Sequence, residues 1–167
     1  MPKLRCPWQI DVLTSKDVEK IVCWRYAPPY EIYNPTDTER DIFLNPVHQY
    51  YAVRYPSSRL VGYCCYGTEG RVPGGDYLED GKRTLDVGVA MHPELVGEGL
   101  GKHFVSAILA FGELRYQPER FRVTIAQFNL RSLKTFETLG FEQVHQFERK
   151  FDALPFVQLI RPVELSP

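Results

Sequence analysis

Neither sign of charge is in excess: 20 Lys and Arg stand against 21 Asp and Glu, a formal net charge of -1 over 167 residues. Nucleic acid and anionic membranes draw basic surfaces, and no run of Lys and Arg supplies a local one. Neither is expected as a partner. Cysteine is scarce. Cys6, Cys23, Cys64 and Cys65 form no C-x-x-C pair and no Cys/His metal spacing, so no metal centre is expected. Cys64 and Cys65 fall in an apolar, strand-like run, and buried reduced thiols suit a cytoplasmic setting. No stretch approaches the roughly 18 apolar residues of a membrane span, and Met1-Pro2-Lys3-Leu4-Arg5 lacks the apolar stretch of a secretory leader. A soluble, unexported protein is expected. Internal repeats, low-complexity tracts and linker-like stretches are missing too, which predicts one domain over residues 1–167. With 44% hydrophobic and 13% aromatic residues, a chain of this length has the means to bury about two thirds of its unfolded surface.

What is present reads as alternating strands and helices. Gln9 to Leu13 is a short strand. Thr14 opens a helix, with Asp17 three residues on as a variant capping box and Val18, Ile21 and Val22 as its apolar stripe. Residues 24–35 (WRYAPPYEIYNP) form a proline-broken aromatic loop, followed by a short helix around Thr38 to Leu44. Gln49 to Tyr55 and Leu60 to Tyr66 read as an antiparallel hairpin about the Pro56–Arg59 turn. Glu69 to Arg83 is a glycine- and proline-rich loop, and Thr84 to Met91 a strand. Gly99 to about Tyr116 is a helix whose Leu100, Phe104, Ala107, Ile108, Phe111 and Leu114 share a face. Phe121 to Gln127 is a strand, Asn129 caps a helix that stops at Gly140, and Phe141 to Lys150 and Phe156 to Val163 close the chain as paired strands. The unit from Thr84 to Gln127 is expected to be a parallel crossover. The fold class is α/β with a mixed (α+β) sheet.

The segment from strand into helix carries most of the chemistry. In Val96-Gly97-Glu98-Gly99-Leu100-Gly101-Lys102 three alternating glycines let several backbone N–H groups converge on one anion, at the positive end of a helix dipole. That is a cradle for a pyrophosphate. A P-loop is excluded, because Val96 stands where GxxxxGK[ST] needs its first glycine and His103 follows Lys102. A Rossmann loop is excluded because the third glycine of GxGxxG is missing, whether counted from Gly97 or Gly99.

Together with a second motif downstream, this loop resembles the GNAT superfamily of N-acetyltransferases. The family's cofactor loop, Q/R-x-x-G-x-G/A, is matched by Val96 to Gly101. Its later signature, N-x-x-S/A followed by an aromatic residue and L-G-F, is matched by Asn129, Ser132, Phe136 and Leu139-Gly140-Phe141. The resemblance implies a central twisted mixed sheet, helices on both faces, and a parallel strand pair splayed around acetyl-coenzyme A. It places the pyrophosphate on Val96, Gly97, Glu98, Gly99, Leu100, Gly101 and Lys102. The pantetheine arm would lie on the backbone of Val89 and Met91, with Asn129, Ser132 and Phe136 on the far side. Val96 departs from the usual Gln or Arg, and Glu98 puts an acid in the loop, although backbone donors survive both changes.

For chemistry, the Met91 N–H is a candidate oxyanion donor. Asp86 is the best-placed candidate base, on the strand where relatives often carry a glutamate, with His92 and Glu94 as alternatives. Phe136 stands where the family often has a tyrosine that protonates the leaving sulfur, so either that step is unassisted or the ring simply packs. Trp24, Tyr26, Tyr30, Glu31 and Tyr33 either cage an amine or form a packing cluster. Three readings follow: an N-acetyltransferase acting on a small-molecule or peptide amine, a coenzyme A-binding regulatory module, and a plain nucleotide-binding domain. Homodimer formation is left open.

Overall fold

The first helix shows how closely local sequence dictates local structure. Thr14 caps α1 (Ser15–Ile21): its hydroxyl accepts the Asp17 N–H at 3.2 Å, and the Asp17 carboxylate accepts the Thr14 N–H at 2.9 Å. Both ends of the capping box are closed, so two otherwise orphaned amides are satisfied. The computed structural model describes residues 7–164; Cys6 and the N-terminal pentapeptide lie outside them. Strand β1 (Gln9–Val12) precedes α1, and a 3-10 turn at Asp37–Glu39 leads into α2 (Arg40–Leu44). Strands β2 (Tyr50–Arg54), β3 (Leu60–Tyr66) and β4 (Thr84–Met91) follow, then α3 (Gly101–Tyr116), β5 (Arg120–Ala126), α4 (Leu130–Thr138), β6 (Glu142–Glu148) and β7 (Pro155–Pro162).

The strands make one mixed seven-stranded sheet in the order β1-β2-β3-β4-β5-β7-β6. As expected, β4 and β5 run parallel, pairing Thr84 with Arg120, Leu85 with Phe121 and Asp86 with Arg122. β7 lies antiparallel between β5 and β6, with a register shift in β6 between Gln143 and His145. The chain divides into two compact units, Met1–Cys64 with Val89–Ile108, and Cys65–Gly88 with Leu109–Pro167.

In the first unit, Leu13, Val18, Ile21, Val22, Trp24, Phe43 and Ala52 form a core, with Tyr50, Leu60 and Tyr63 packed against it. A Cβ on Gly62 would lie 2.5 Å from the Ala90 carbonyl oxygen and 2.6 Å from the Phe104 ring. Glycine is what lets β3 sit beneath that ring. In the second unit Phe121, Val123, Ile125, Phe156, Val157 and Leu159 are buried, and α4 contributes Leu133 and Phe136.

Three expectations are corrected. α3 begins at Gly101 rather than Gly99, because Gly99 holds φ at +81°, outside the helical region. Leu114, assigned to the buried face, is 84% exposed, while Leu109 is buried instead. Cys64 and Cys65 are buried and form no disulfide, as expected of reduced thiols, but Cys23 is exposed. Among the described residues, no helix is long and apolar enough to cross a membrane, and no group of three or more His, Cys, Asp and Glu is placed to hold a metal ion.

Candidate active site

In the first unit, the last residues of β4 meet the aromatic loop. The Tyr26 hydroxyl donates to the Met91 carbonyl at 2.6 Å, and the His92 N–H donates to the Val61 carbonyl at 2.8 Å. Both polar groups of the Met91–His92 peptide unit are therefore committed. Tyr26 is itself anchored, its N–H donating to Asn34 Oδ1 at 2.7 Å. Burial pushes its phenol well above the usual range, so the proton stays on the hydroxyl and the bond keeps its direction. Arg25 fixes the same loop, Nη1 donating to the carbonyls of Val22 at 2.9 Å and Trp24 at 2.6 Å.

Of the residues proposed as an amine cage, Trp24 is buried, its ring centroid 5.0 Å from His92 and 5.8 Å from Tyr63. Tyr26 is turned onto β4. Tyr30, Glu31 and Tyr33 share a 3-10 turn, the two tyrosines half-buried and the glutamate exposed.

His92 Nδ1 accepts the Glu94 N–H at 3.1 Å and caps the short turn Pro93–Leu95. An imidazole whose Nδ1 accepts carries its proton on Nε2 when neutral. His92 is thus set up as a donor at Nε2, and accepting a proton at Nδ1 would break the cap. Glu94 is exposed.

Beyond it, Gly97 and Gly99 take φ of +84° and +81°, a conformation in which L side chains are strained. A Cβ on Gly99 would meet nothing within 4 Å, so backbone conformation, not crowding, demands the glycine there. The first amide bonded back along α3 is Phe104, to Leu100 at 2.9 Å. The N–H groups of Gly101, Lys102 and His103 are first-turn donors without an intrahelical acceptor. Glu98 and Lys102 are exposed, and Val96 and Leu100 are half-buried. Left-handed glycines, open space and unspent donors together fit an anion.

A groove of about 860 Å³ borders His92 and Trp24, running past Lys16, Lys20, Arg59 and Glu19. Arg54, also on it, is spent on Asp17 and Asp11, at 2.7 and 3.0 Å. Lys16, Lys20 and Arg59 have no ion-pair partner among the described residues, which leaves three cations facing one free carboxylate, Glu19.

In the second unit, Asp86 is 2% exposed. Its Oδ1 accepts from Arg122 Nε at 2.7 Å, and its Oδ2 accepts from Arg122 Nη2 at 2.8 Å and Arg71 Nε at 2.9 Å. Tyr77 packs against both guanidinium groups, each 4.9 Å from its ring centroid. Its hydroxyl takes the Val72 N–H and donates to Thr124 Oγ1. Both oxygens of Asp86 are thus covered by cations inside the protein. Asn129 caps α4, its Oδ1 accepting the Ser132 N–H at 3.2 Å. Phe136 is 2% exposed and meets Phe141 edge-on at 5.2 Å.

Sequence reasoning missed Arg122, Arg71 and Tyr77 around Asp86, and the tie between Tyr26 and Met91. The strand starts read from the sequence, Thr84 and Phe121, are out of register by one residue; pairing Thr84 with Arg120 is what sets Arg122 beside Asp86.

The sequence matches the profile described as the Acetyltransferase (GNAT) family over residues 16–141. Similar solved structures include a GNAT-family acetyltransferase from Bacillus anthracis (TM-score 0.72, 16% identity, covering 94% of this chain and 95% of that one). An aminoglycoside acetyltransferase AAC(6')-Ib in complex with coenzyme A gives a TM-score of 0.75 at 16% identity, covering 93% and 94%. A point mutant of a Vibrio cholerae spermidine N-acetyltransferase gives 0.67 at 14% identity, also covering 93% and 94%. No curated protein matches the chain in sequence. With three quarters of its length inside the family profile and the seven-stranded fold to match, the chain belongs to the GNAT acetyltransferase family.

Proposed function

We propose that this enzyme transfers an acetyl group from acetyl-coenzyme A to a primary amine of low pKa, by direct attack in a ternary complex. The observation that carries the reading is the Val96–Lys102 loop, with two left-handed glycines and open space leading into the first turn of α3. Acetyl-coenzyme A, when bound, supplies an acyl group activated as a thioester. The loop amides would hold its pyrophosphate, and the Val89 and Met91 backbone its pantetheine arm. Because the Met91 carbonyl is committed to Tyr26, Met91 contributes its N–H, our candidate oxyanion donor.

The acceptor follows from what the protein does not offer as a base. Asp86 is covered by two arginines, and we assign it to holding strands rather than to proton transfer. His92 carries a donor at Nε2, and Glu94 is an exposed carboxylate without the burial that would tune it as a base. The amine must therefore arrive largely neutral. At pH 7 an amine of pKa about 10.4 costs about 4.6 kcal/mol to deprotonate, and an α-amino group of pKa about 7.7 costs about 1 kcal/mol. The groove beside His92, with Lys16, Lys20 and Arg59 against Glu19, favours an acceptor that also bears a carboxylate, such as an amino acid, and repels a polyamine.

The test has two arms. Acetyl-coenzyme A is expected to raise the melting temperature where ATP and NAD do not. At pH 7, lysine blocked at Nε is then set against lysine blocked at Nα, both with free carboxylates, and the products are read by mass spectrometry. Acetylation of the α-amine is expected to dominate. Preferential ε-acetylation with a flat pH–rate profile would sink the low-pKa reading. Binding without turnover on any amine would favour a regulatory coenzyme A module instead.

A further inference from the structure

The Tyr26 hydroxyl bond to Met91 joins residues 65 positions apart, and it falls at the one peptide unit where the cofactor strand leaves the sheet for the glycine loop. We infer that Tyr26 is a positioning residue for acyl transfer: by holding the Met91 carbonyl, it fixes the backbone whose N–H faces the reacting carbonyl. The inference rests on the coenzyme A reading above and deepens it.

Three observations support it. First, the Met91–His92 peptide is gripped at both polar ends, by Tyr26 at 2.6 Å and by the Val61 carbonyl at 2.8 Å. A plane held on two sides resists rotation, and with the preceding peptide set in β4 this narrows the torsions at the Met91 Cα and steadies the direction of the Met91 N–H. Second, the grip does not depend on pH in the working range, because burial keeps the phenol protonated. Third, the hydroxyl adds little to holding its own loop. Arg25 already binds the Val22 and Trp24 carbonyls, and the Tyr26 N–H binds Asn34. A bond largely redundant for the loop, yet formed to the strand end, acts chiefly on the strand. Without it the Met91 carbonyl would be free to turn towards water or an amide of the bound arm, taking the N–H out of line.

The test is Tyr26→Phe, which keeps the ring and removes only the hydroxyl. Coenzyme A titrations by calorimetry on the wild type and the variant give the affinity and the fraction of competent sites, and kcat is then expressed per competent site. Stoichiometry and coenzyme A affinity are expected to match the wild type, while kcat per site falls about tenfold to a hundredfold, the scale of a misplaced reacting group. A kcat per site equal to the wild type would overturn the proposal. So would an activity loss that merely tracks the loss of binding sites, since that is the mark of a structural residue. If Tyr26→Phe does not fold, Asn34→Ala releases the tyrosine backbone while keeping the hydroxyl, and kcat per site should fall by a smaller factor; no fall there would overturn the proposal. Failure of the wild type itself to bind coenzyme A would overturn the underlying reading, and it shows in a different protein and a different measurement.

Discussion

Asp86 is where the chemistry expected of a side chain and the chemistry its neighbours permit diverge most. A carboxylate on the cofactor strand invites assignment as a base. This one is buried and bonded by two guanidinium groups. Removing one member of a buried pair leaves its partner charged and uncompensated, which costs about 3–5 kcal/mol. Asp86→Asn is therefore expected to lose stability of that order, measured by urea unfolding, while kcat per folded molecule changes little. A folded Asp86→Asn protein with normal stability and no turnover would restore the base. Phe136 makes the same point more quietly. Its ring is 2% exposed against Phe141, so a tyrosine there would have to bury a hydroxyl.

At the scale of elements, local signals were read well because local physics makes them. The capping box at Thr14 and Asp17, the Asn129 cap and the strand Thr84–Met91 all follow from residues a few positions apart. The start of α3 was misread by two residues, since periodicity cannot see that Gly99 needs a positive φ. The partners of Asp86 and Tyr26 were not legible for a different reason. They come from 15 to 65 residues away, and a contact made by strand register leaves no period in the chain. The Gly97–Gly101 loop, where we propose that the pyrophosphate is held, is by contrast a local feature that the sequence displays directly. Gly99→Ala tests that loop: the methyl finds open space, but a non-glycine residue in the left-handed region costs about 1–2 kcal/mol. The variant should fold, with its melting temperature lowered by about 2–8 °C, and show a smaller shift with acetyl-coenzyme A. An undiminished shift would mean the cradle tolerates another backbone path.

For the molecule as a whole, near-zero net charge makes acid stability a question of particular pairs rather than general repulsion. In Asp17, burial pushes the carboxyl up, but hydrogen bonds from Arg54 and Thr14 outweigh it and the net direction is down. A carboxyl lowered on folding contributes stability that is whole above its unfolded value of about 4 and is lost as pH falls through the folded value. Urea midpoints should thus be level from pH 7 to about 5 and drop below 4, and Asp17→Asn should be less stable at pH 7 and flatter in acid. An equally steep acid loss in that variant would place the sensitivity elsewhere.

The clasp over Asp86 also decides where this chain tolerates alteration. The segment after β3 is rich in glycine and proline, yet it is tied down at Arg71, Val72, Asp76, Tyr77 and Leu78. Beyond those ties lies an exposed tip: Gly81 and Lys82 are exposed, the Lys82 N–H is held by Asp80 two residues back at 3.1 Å, and a Cβ on Gly81 would touch nothing within 4 Å. The bond between Gly81 and Lys82 is therefore a natural port for splicing in a reporter domain or an affinity handle, with the ion-paired stretch behind it serving as strain relief.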